Sequence, residues 1–310
     1  MKVAFLFSGQ IRNINYNLFQ KSLDNLTTGL DYDIYSYSWE EKGKSLNHQS
    51  KLSKLENLEN INEYINKMFQ GFNLFNYDYE SYKNFILNLE EKYIKILNSK
   101  EYHFGTINVI PQIYTLYKCY ELLENKIEDY DLIFRCRFDS IFIHPLKFYS
   151  LNKIYFSNNL YNLNFGRAYY PQRIYDIFFG GSKKSMKFIA TLWKDLPNLI
   201  ENKFDNGLDK RDCCRILYLA ASLNNTNIES FSSRICDVYR NNDLLYSKYL
   251  ISSHLVNLRI NKKNINYIRY IFKWFRERKL SNTKITFYLI KSMILLPIVY
   301  LKRLKYLKIS

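Results

Sequence analysis

The segment YDLIFRCRFDSIF, residues 130–142, constrains the fold most, because it is a hydrophobic run with a charge at every second position. Side chains two residues apart on a strand share a face. The pattern therefore predicts a buried strand with one apolar face and one charged face. The apolar face consists of Leu132, Phe134, Cys136 and Phe138. The other face carries Arg135, Arg137 and Asp139 together with Ile133 and Ile141.

Two structures explain a row of two guanidinium groups and a carboxylate. In the first, Asp139 at the carboxyl end of a central strand holds a divalent metal, while an Arg binds diphosphate oxygens in a bidentate fork. Such a site neutralises the charge that develops on a leaving group. In the second, the charges form an internal Arg–Asp ion pair that stabilises the sheet. The spacing by itself slightly favours the ion pair.

The N-terminal part has the order of elements of an α/β protein. Residues 3–7 (VAFLF) predict a buried strand that ends at Gly9, and residues 33–39 (DIYSYSW) alternate as a second strand. A helix near Asn17–Leu26 connects them. In such sheets ligands bind at the carboxyl ends of the strands, where a glycine permits close approach to the backbone.

Further segments extend this α/β domain, which we predict to span residues 1–257. Residues 40–100 have apolar side chains at helical spacing and are expected to form a helical insertion. Pro111 is expected near the first turn of a helix. Residues 153–158 predict a strand. The segment YDIFFGGSKKSM predicts a strand, a Gly-Gly turn and a helix that begins at Ser182.

Positive charge is concentrated at the C-terminus. Residues 258–310 contain fourteen Lys and Arg and one acidic residue, Glu277, so they carry 13 of the 16 net positive charges. The apolar stretch Ile285–Leu301, interrupted by Lys291 and Pro297, falls short of the roughly 20 uncharged residues of a spanning helix. We predict a basic amphipathic helix on the anionic inner leaflet of the membrane. The alternative is a helix that packs on the domain with its charges in solvent.

Cysteine usage and the N-terminus indicate the cytoplasm. The five cysteines are odd in number and include no CxxC pair, so they indicate neither a zinc ribbon nor a disulfide framework. The first apolar run is too short for a signal peptide. No P-loop, HExxH or Gly-x-Ser-x-Gly stretch is present, so NTPase, zincin and hydrolase functions have no support.

Five segments, in their order and approximate spacing, resemble bacterial glycosyltransferases of capsule and lipopolysaccharide gene clusters, including proteins of the WavE type. They are AFLFSGQIRN, DIYSYSW, PQIYTLYKCYELLE, YDLIFRCRFD and YDIFFGGSKKSM, between residue 1 and about residue 190. The resemblance implies a GT-A-like fold, a Rossmann-type mixed sheet flanked by helices, that binds a nucleotide sugar with Mn²⁺ or Mg²⁺. The Asp-x-Asp motif of that fold corresponds here to Arg137-Phe138-Asp139, which keeps one acid. Either Asp139 is the sole protein carboxylate on the metal, or Arg137 takes over part of the charge neutralisation.

The resemblance and the positions in the predicted sheet together suggest residues that bind the nucleotide sugar. These are Ser8, Gly9, Gln10, Arg12, Gln112, Tyr114, Arg135, Arg137 and Asp139. Asp139 is also the expected metal ligand, with His254 as a further one. The alternatives are structural: a glycine turn at Gly9, a core position for Tyr114 and a structural role for His254.

The general base that deprotonates an acceptor hydroxyl is expected among three aspartates. Asp176 precedes the aromatic strand and the Gly-Gly pair, which in GT-A enzymes line the sugar and acceptor pocket. Asp209 and Asp212 precede a predicted helix. Capping or turn formation is the alternative role of all three.

The leading hypothesis is a cytoplasmic glycosyltransferase, peripheral at the inner membrane, that builds a surface polysaccharide on a lipid-linked or polysaccharide acceptor. A second hypothesis is transfer of a phosphoryl-containing substituent to a sugar of the polysaccharide. A third is a basic nucleic-acid-binding protein, against which the apolar tail and the lack of a recognisable RNA-binding motif argue. We therefore expect no nucleic-acid partner.

Overall fold

The structure is a computed structural model that describes residues 1–11, 16–43, 55–98, 106–142, 145–149, 151–162, 174–202, 213–231 and 236–238. The described residues belong to one compact unit. The predicted boundary at residue 257 and the basic region 258–310 lie outside them and stay predictions.

The described residues form eleven strands and nine α-helices. The strands are β1 (Lys2–Gly9), β2 (Asp31–Trp39), β3 (Glu41–Gly43), β4 (Leu55–Asn57), β5 (Leu74–Glu80), β6 (Leu132–Cys136), β7 (Ser140–Phe142), β8 (Leu160–Asn162), β9 (Phe178–Ser182), β10 (Ile228–Ser230) and β11 (Cys236–Val238). The helices are α1 (Tyr16–Thr27), α2 (Ile61–Met68), α3 (Tyr82–Leu87), α4 (Glu91–Asn98), α5 (Thr106–Glu124), α6 (Leu151–Ser157), α7 (Lys183–Ala190), α8 (Leu196–Asn202) and α9 (Cys213–Leu223).

Seven strands form one mixed sheet in the order β10-β8-β9-β6-β1-β2-β5. Strand β1 is parallel to β2 and β6, β2 is parallel to β5, and β8 is parallel to β10. Strand β9 is antiparallel to both neighbours, β6 and β8. The predicted α/β class, with a mixed sheet flanked by helices, is confirmed and is consistent with a Rossmann-like fold.

Apolar side chains cover both faces of the sheet because successive residues of a strand point to opposite sides. Ala4 and Leu6 of β1 belong to a cluster with α5, α7 and α9. Val3, Phe5 and Phe7 belong to a second cluster with α1, α2 and α6. Strand β1 is therefore buried on both faces, as expected for a central parallel strand. Among the helices of the described ranges, none is long and apolar enough to cross a bilayer.

The charged segment has the two predicted faces only over β6, which ends at Cys136. Arg137 and Asp139 lie in the turn between β6 and β7, so the prediction of one continuous strand face is wrong there. Leu132, Phe134 and Cys136 of β6 lie in the cluster with α1 and α2. Ile133 lies in the cluster with α5. Arg135, two residues further on, shares the face of Ile133 and is 2% exposed.

The Gly-Gly pair lies inside strand β9, so the predicted turn is wrong. A Cβ on Gly180 would be 2.3 Å from the carbonyl oxygen of Ile133 and 2.3 Å from Cδ1 of Phe134. The rings of Phe134 and Phe178 stack across the two strands with centroids 5.3 Å apart. Glycine is needed here because the strand approaches β6 closely, not because the chain reverses. The predicted helix start is confirmed, since the Ser182 side chain caps α7.

Two other expectations about secondary structure are wrong. Residues 153–158, predicted as a strand, lie largely in helix α6, whose one buried residue is Ile154. With one buried side chain, alternation gives little information about which face is covered. The region 40–100 contains strand β5, which pairs with β2, in addition to helices. Most side chains of this edge strand are exposed or half-buried, so the strand lacks a hydrophobic run.

Helix α5 begins at Thr106, five residues before Pro111. The prediction that Pro111 marks the first turn is therefore wrong about the start, although the helix itself is confirmed. A proline at this position removes one backbone donor from the interior of the helix. The helix packs against β1 and β2 through residues such as Ile113 and Leu116.

Candidate functional site

The sheet has a topological switch point between β1 and β6. From β1 the chain order continues through β2 and β5 to one side, whereas β6 lies on the other side. In open α/β sheets, ligands bind outside the carboxyl ends of the strands at such a point. Ser8 and Gly9 end β1, and Arg135 and Cys136 end β6. Five of the predicted site residues lie at or next to these two strand ends.

Arg137 holds two aspartates with one guanidinium group. Its Nε donates to Oδ1 of Asp139 at 2.8 Å and its Nη2 donates to Oδ2 at 2.7 Å. Its Nη1 donates to Oδ2 of Asp176 at 3.0 Å. Asp139 is 2% exposed, and the other two side chains are each 15% exposed. Of the two structures expected for this strand, the internal ion pair is therefore the one observed.

The electrostatics of this ion pair favour its charged form. Although burial by itself lowers the pKa of Arg137, the adjacent carboxylates of Asp139 and Asp176 raise it well above its usual value. The guanidinium therefore stays protonated at any pH at which the protein is folded. The fourth carboxylate oxygen, Oδ1 of Asp176, accepts from the thiol of Cys214 at 3.8 Å. Cys214, at the start of α9, is a member of this cluster that sequence reasoning missed.

Arg135 lies beside this ion pair and is completely enclosed. Its Nε donates to Oγ of Ser8 at 3.2 Å, and its Nη2 donates to the Ser8 carbonyl at 3.5 Å. Its Nη1 is buried and has no hydrogen-bond partner among the described residues. Burial lowers the pKa of Arg135, and the nearby Asp176 partly offsets this effect. An unpaired donor on a buried cation is costly, since each such group loses its hydration without compensation.

The end of β1 leaves space next to the backbone. Gly9 has a φ of +117°, which L side chains rarely adopt, and no described residue lies within 4 Å of where its Cβ would be. The predicted need for glycine is thus conformational, and the open space also leaves room for a ligand. Gln10 is half-buried and follows directly.

Tyr114 and Gln112 lie on α5, and Tyr114 contacts residues of β2 and β5. The Tyr114 hydroxyl donates to Oε2 of Glu80 at 3.3 Å, and its ring stacks on Trp39 with centroids 5.9 Å apart. Oε1 of Gln112 is buried without a partner in the described part of the chain. No described contact joins these residues to Arg135, so the structure does not bring the two predicted groups together.

Glu80, at the carboxyl end of β5, is a second residue that sequence reasoning missed. Its Oε1 is buried and has no partner among the residues that the structure describes. Burial raises its pKa, and hydrogen bonds from Tyr114 and Tyr37 reduce this shift. The sequence predicts a helical insertion over residues 40–100, so it does not indicate that Glu80 ends a strand of the sheet, where ligands bind.

The described carboxylates suit a guanidinium better than a divalent metal. Mn²⁺ or Mg²⁺ would bind carboxylate oxygens at about 2.0–2.2 Å, but the guanidinium of Arg137 already lies between the two carboxylates. Both oxygens of Asp139 and both oxygens of Asp176 already accept hydrogen bonds. Within the described ranges no group of three or more His, Cys, Asp or Glu residues is arranged to hold a metal ion. We therefore derive no step through a metal.

Four predicted site residues lie outside the described residues. They are Arg12, Asp209, Asp212 and His254. Their predicted roles in nucleotide binding, as general base or as metal ligand stay predictions.

Comparison with known proteins adds no assignment. No protein-family model matches the chain, and no curated protein is significantly similar to it.

Replacement of Asp139 by Ala should strongly destabilise the fold. The change removes two of the three acceptors of Arg137 and leaves a buried cation partly unpaired, which costs about 3–5 kcal/mol. Urea denaturation measures the free energy of unfolding of D139A and wild type. Asp24→Ala, at an exposed position of α1, is the matched control and should change stability by less than about 0.5 kcal/mol. A loss below about 1 kcal/mol in D139A would contradict the ion-pair role.

Glu80 should make stability depend on pH. Because its pKa is raised in the folded state, its contribution is fully present below the ordinary carboxyl value of 4.5 and is lost as pH rises through the raised value. Gln has nearly the same shape and stays neutral. We therefore expect the free energy of unfolding of E80Q, relative to wild type, to increase as pH rises through this window. Urea denaturation at a series of pH values checks this, with the exposed Glu124→Gln as the control. A difference that is constant or decreases with pH would refute it.

Proposed function

We propose that the protein is a glycosyltransferase that moves a sugar from a nucleotide-sugar donor to a hydroxyl of a growing bacterial surface polysaccharide, of the capsule or lipopolysaccharide type. The observation that carries this proposal is the buried guanidinium of Arg135, whose Nη1 has no acceptor among the described residues. It lies at the sheet position where α/β proteins bind nucleotides. The resemblance of the five sequence segments supports the same class of enzyme.

A diphosphate satisfies the chemical needs of this position. Phosphate oxygens are acceptors for guanidinium donors, and their charge compensates a buried cation. When a sugar is transferred, negative charge develops on the departing nucleoside diphosphate, and a fixed cation stabilises it. The adjacent strand end, with the open space beside Gly9, permits the backbone to approach the phosphates.

The identity of the general base remains a prediction. Both oxygens of Asp176 accept hydrogen bonds, from Arg137 and from Cys214, so this candidate base is part of the ion-pair cluster. Asp209 and Asp212 remain the other predicted bases.

We also propose that the enzyme is cytoplasmic and binds the inner leaflet of the membrane as a peripheral protein. The support is the charge of residues 258–310, with fourteen basic residues and one acidic residue, next to an apolar stretch. Basic residues near an anionic bilayer each contribute about 1 kcal/mol to binding. A lipid-linked acceptor would then lie at the same surface as the enzyme.

The replacement Arg135→Met should abolish most of the affinity for nucleoside diphosphates. It removes charge-assisted hydrogen bonds worth about 1.5–3 kcal/mol, which corresponds to about a ten- to hundredfold weaker Kd. Titration calorimetry with UDP, GDP, CDP and ADP measures the effect, after a screen of the same ligands by thermal shift on wild type. Hydrolysis of the matching nucleotide sugar, followed by mass spectrometry, tests for donor activation.

Lys184→Met is the matched control for this experiment. Lys184 is an exposed cation on α7, so the same change of charge and side chain should leave the Kd unchanged. The melting temperature of each unliganded variant shows whether it folds. The proposal is overturned if no nucleoside diphosphate stabilises the wild-type protein, or if R135M binds as tightly as wild type.

Charge reversal in the C-terminal region should release the protein from anionic membranes. In the triple variant K302E/R303E/K305E, three attractive charges become repulsive, which costs at least about 3 kcal/mol of binding free energy. Co-sedimentation with vesicles of phosphatidylglycerol and phosphatidylcholine measures the bound fraction, and vesicles of phosphatidylcholine alone are the control. Equal binding of wild type to both kinds of vesicle would contradict an electrostatic contribution to membrane attachment.

A further inference from the structure

Four charged residues at the switch point, Arg135, Arg137, Asp139 and Asp176, balance one another before any ligand binds. The set contains two guanidinium groups and two carboxylates, so its formal net charge is zero. Every carboxylate oxygen in it has a donor: three receive the nitrogens of Arg137, and the fourth receives the Cys214 thiol. A metal ion between these two carboxylates would therefore compete with the guanidinium of Arg137 for their oxygens.

A divalent metal would have to take the place of Arg137. The guanidinium nitrogens lie 2.7–3.0 Å from the oxygens that the metal would bind. Arg137 is held by three charge-assisted hydrogen bonds, and its raised pKa prevents it from leaving as a neutral group. In a site with two acidic residues, a metal lies between the two carboxylates. Here the side chain of Arg137 occupies that position.

Arg135 has a donor nitrogen, Nη1, that makes no hydrogen bond to the described residues. Its side chain is 2% exposed, its Nε and Nη2 contact Ser8, and its Nη1 has no acceptor in the described part of the chain. The ring of Phe179 lies on one side, with its centroid 6.0 Å from Cζ. Arg135 therefore keeps one donor nitrogen without an acceptor, whereas each neighbouring carboxylate oxygen already has a donor.

We infer that this site binds a diphosphate without a divalent cation: Arg135 donates directly to a phosphate oxygen, and Arg137 stands in the place of the metal. The inference rests on the proposed function for its class of ligand. Arg137 is a positioning residue in this arrangement, because all three of its nitrogens donate to the carboxylates of Asp139 and Asp176 and so orient them.

The test uses the wild-type full chain and four titrations. Inorganic pyrophosphate and the best-binding nucleoside diphosphate are each titrated by calorimetry, in buffer freed of metal with a chelating resin and in the same buffer with MnCl₂. A resin is preferable to EDTA, because EDTA is itself a polyanion that competes for an anion site. We expect each Kd without metal to lie within about twofold of its value with Mn²⁺.

The outcomes separate this inference from the proposed function. If the nucleotide and pyrophosphate bind only with Mn²⁺, the inference is wrong and the proposed function stands. If pyrophosphate binds without metal but no nucleotide binds, the anion site stands and the proposed function falls. If neither binds under either condition, both are wrong.

A variant pair assigns the binding to Arg135. In metal-free buffer, R135M should weaken pyrophosphate binding by more than about tenfold, whereas Lys184→Met should not change it. Should R135M fail to fold, R135K keeps the charge but loses the fork, and it should still bind more weakly than wild type. An unchanged Kd in the folded Arg135 variant would locate the anion elsewhere and overturn the inference. The comparison with and without metal needs no variant.

Discussion

The candidate site depends on the fork that Arg137 makes with Asp139 and Asp176. Asp139 is almost fully buried, and an isolated carboxylate at such a position would be too costly to keep ionised. The guanidinium removes this cost and also ties the end of β6 to the residues just before β9. Arg135 lies on β6, two residues before Arg137, and β6 pairs with β1 and β9.

The sequence predicts the two faces of β6, because apolar and charged residues alternate along it and successive side chains of a strand point to opposite faces. It predicted that Arg135, Arg137 and Asp139 share a face, and it left open whether they bind a metal or one another. The choice depends on a third charge, Asp176, which lies 37 residues after Asp139 along the chain. No local pattern encodes the register of β9 that brings Asp176 within 3.0 Å of Arg137.

The errors in secondary structure have related causes. Strand β5 lies at the edge of the sheet, and each of its side chains is half-buried or exposed. Its residues therefore do not form the apolar run of a central strand. The end of that strand carries Glu80, which went unnoticed for this reason. The Gly-Gly pair of β9 predicts a turn by composition, because composition does not distinguish a chain reversal from a close approach of two backbones.

The bare Cα of Gly180 has a consequence for folding as well as for packing. If β9 slid along β6 by one residue so that Phe179 took the position of Gly180, its side chain would collide with the backbone of β6, and Arg137 would lose its second aspartate. Misalignment thus meets a steric penalty and an electrostatic penalty at once. The antiparallel strand β9 therefore disfavours this misaligned pairing with β6 during folding.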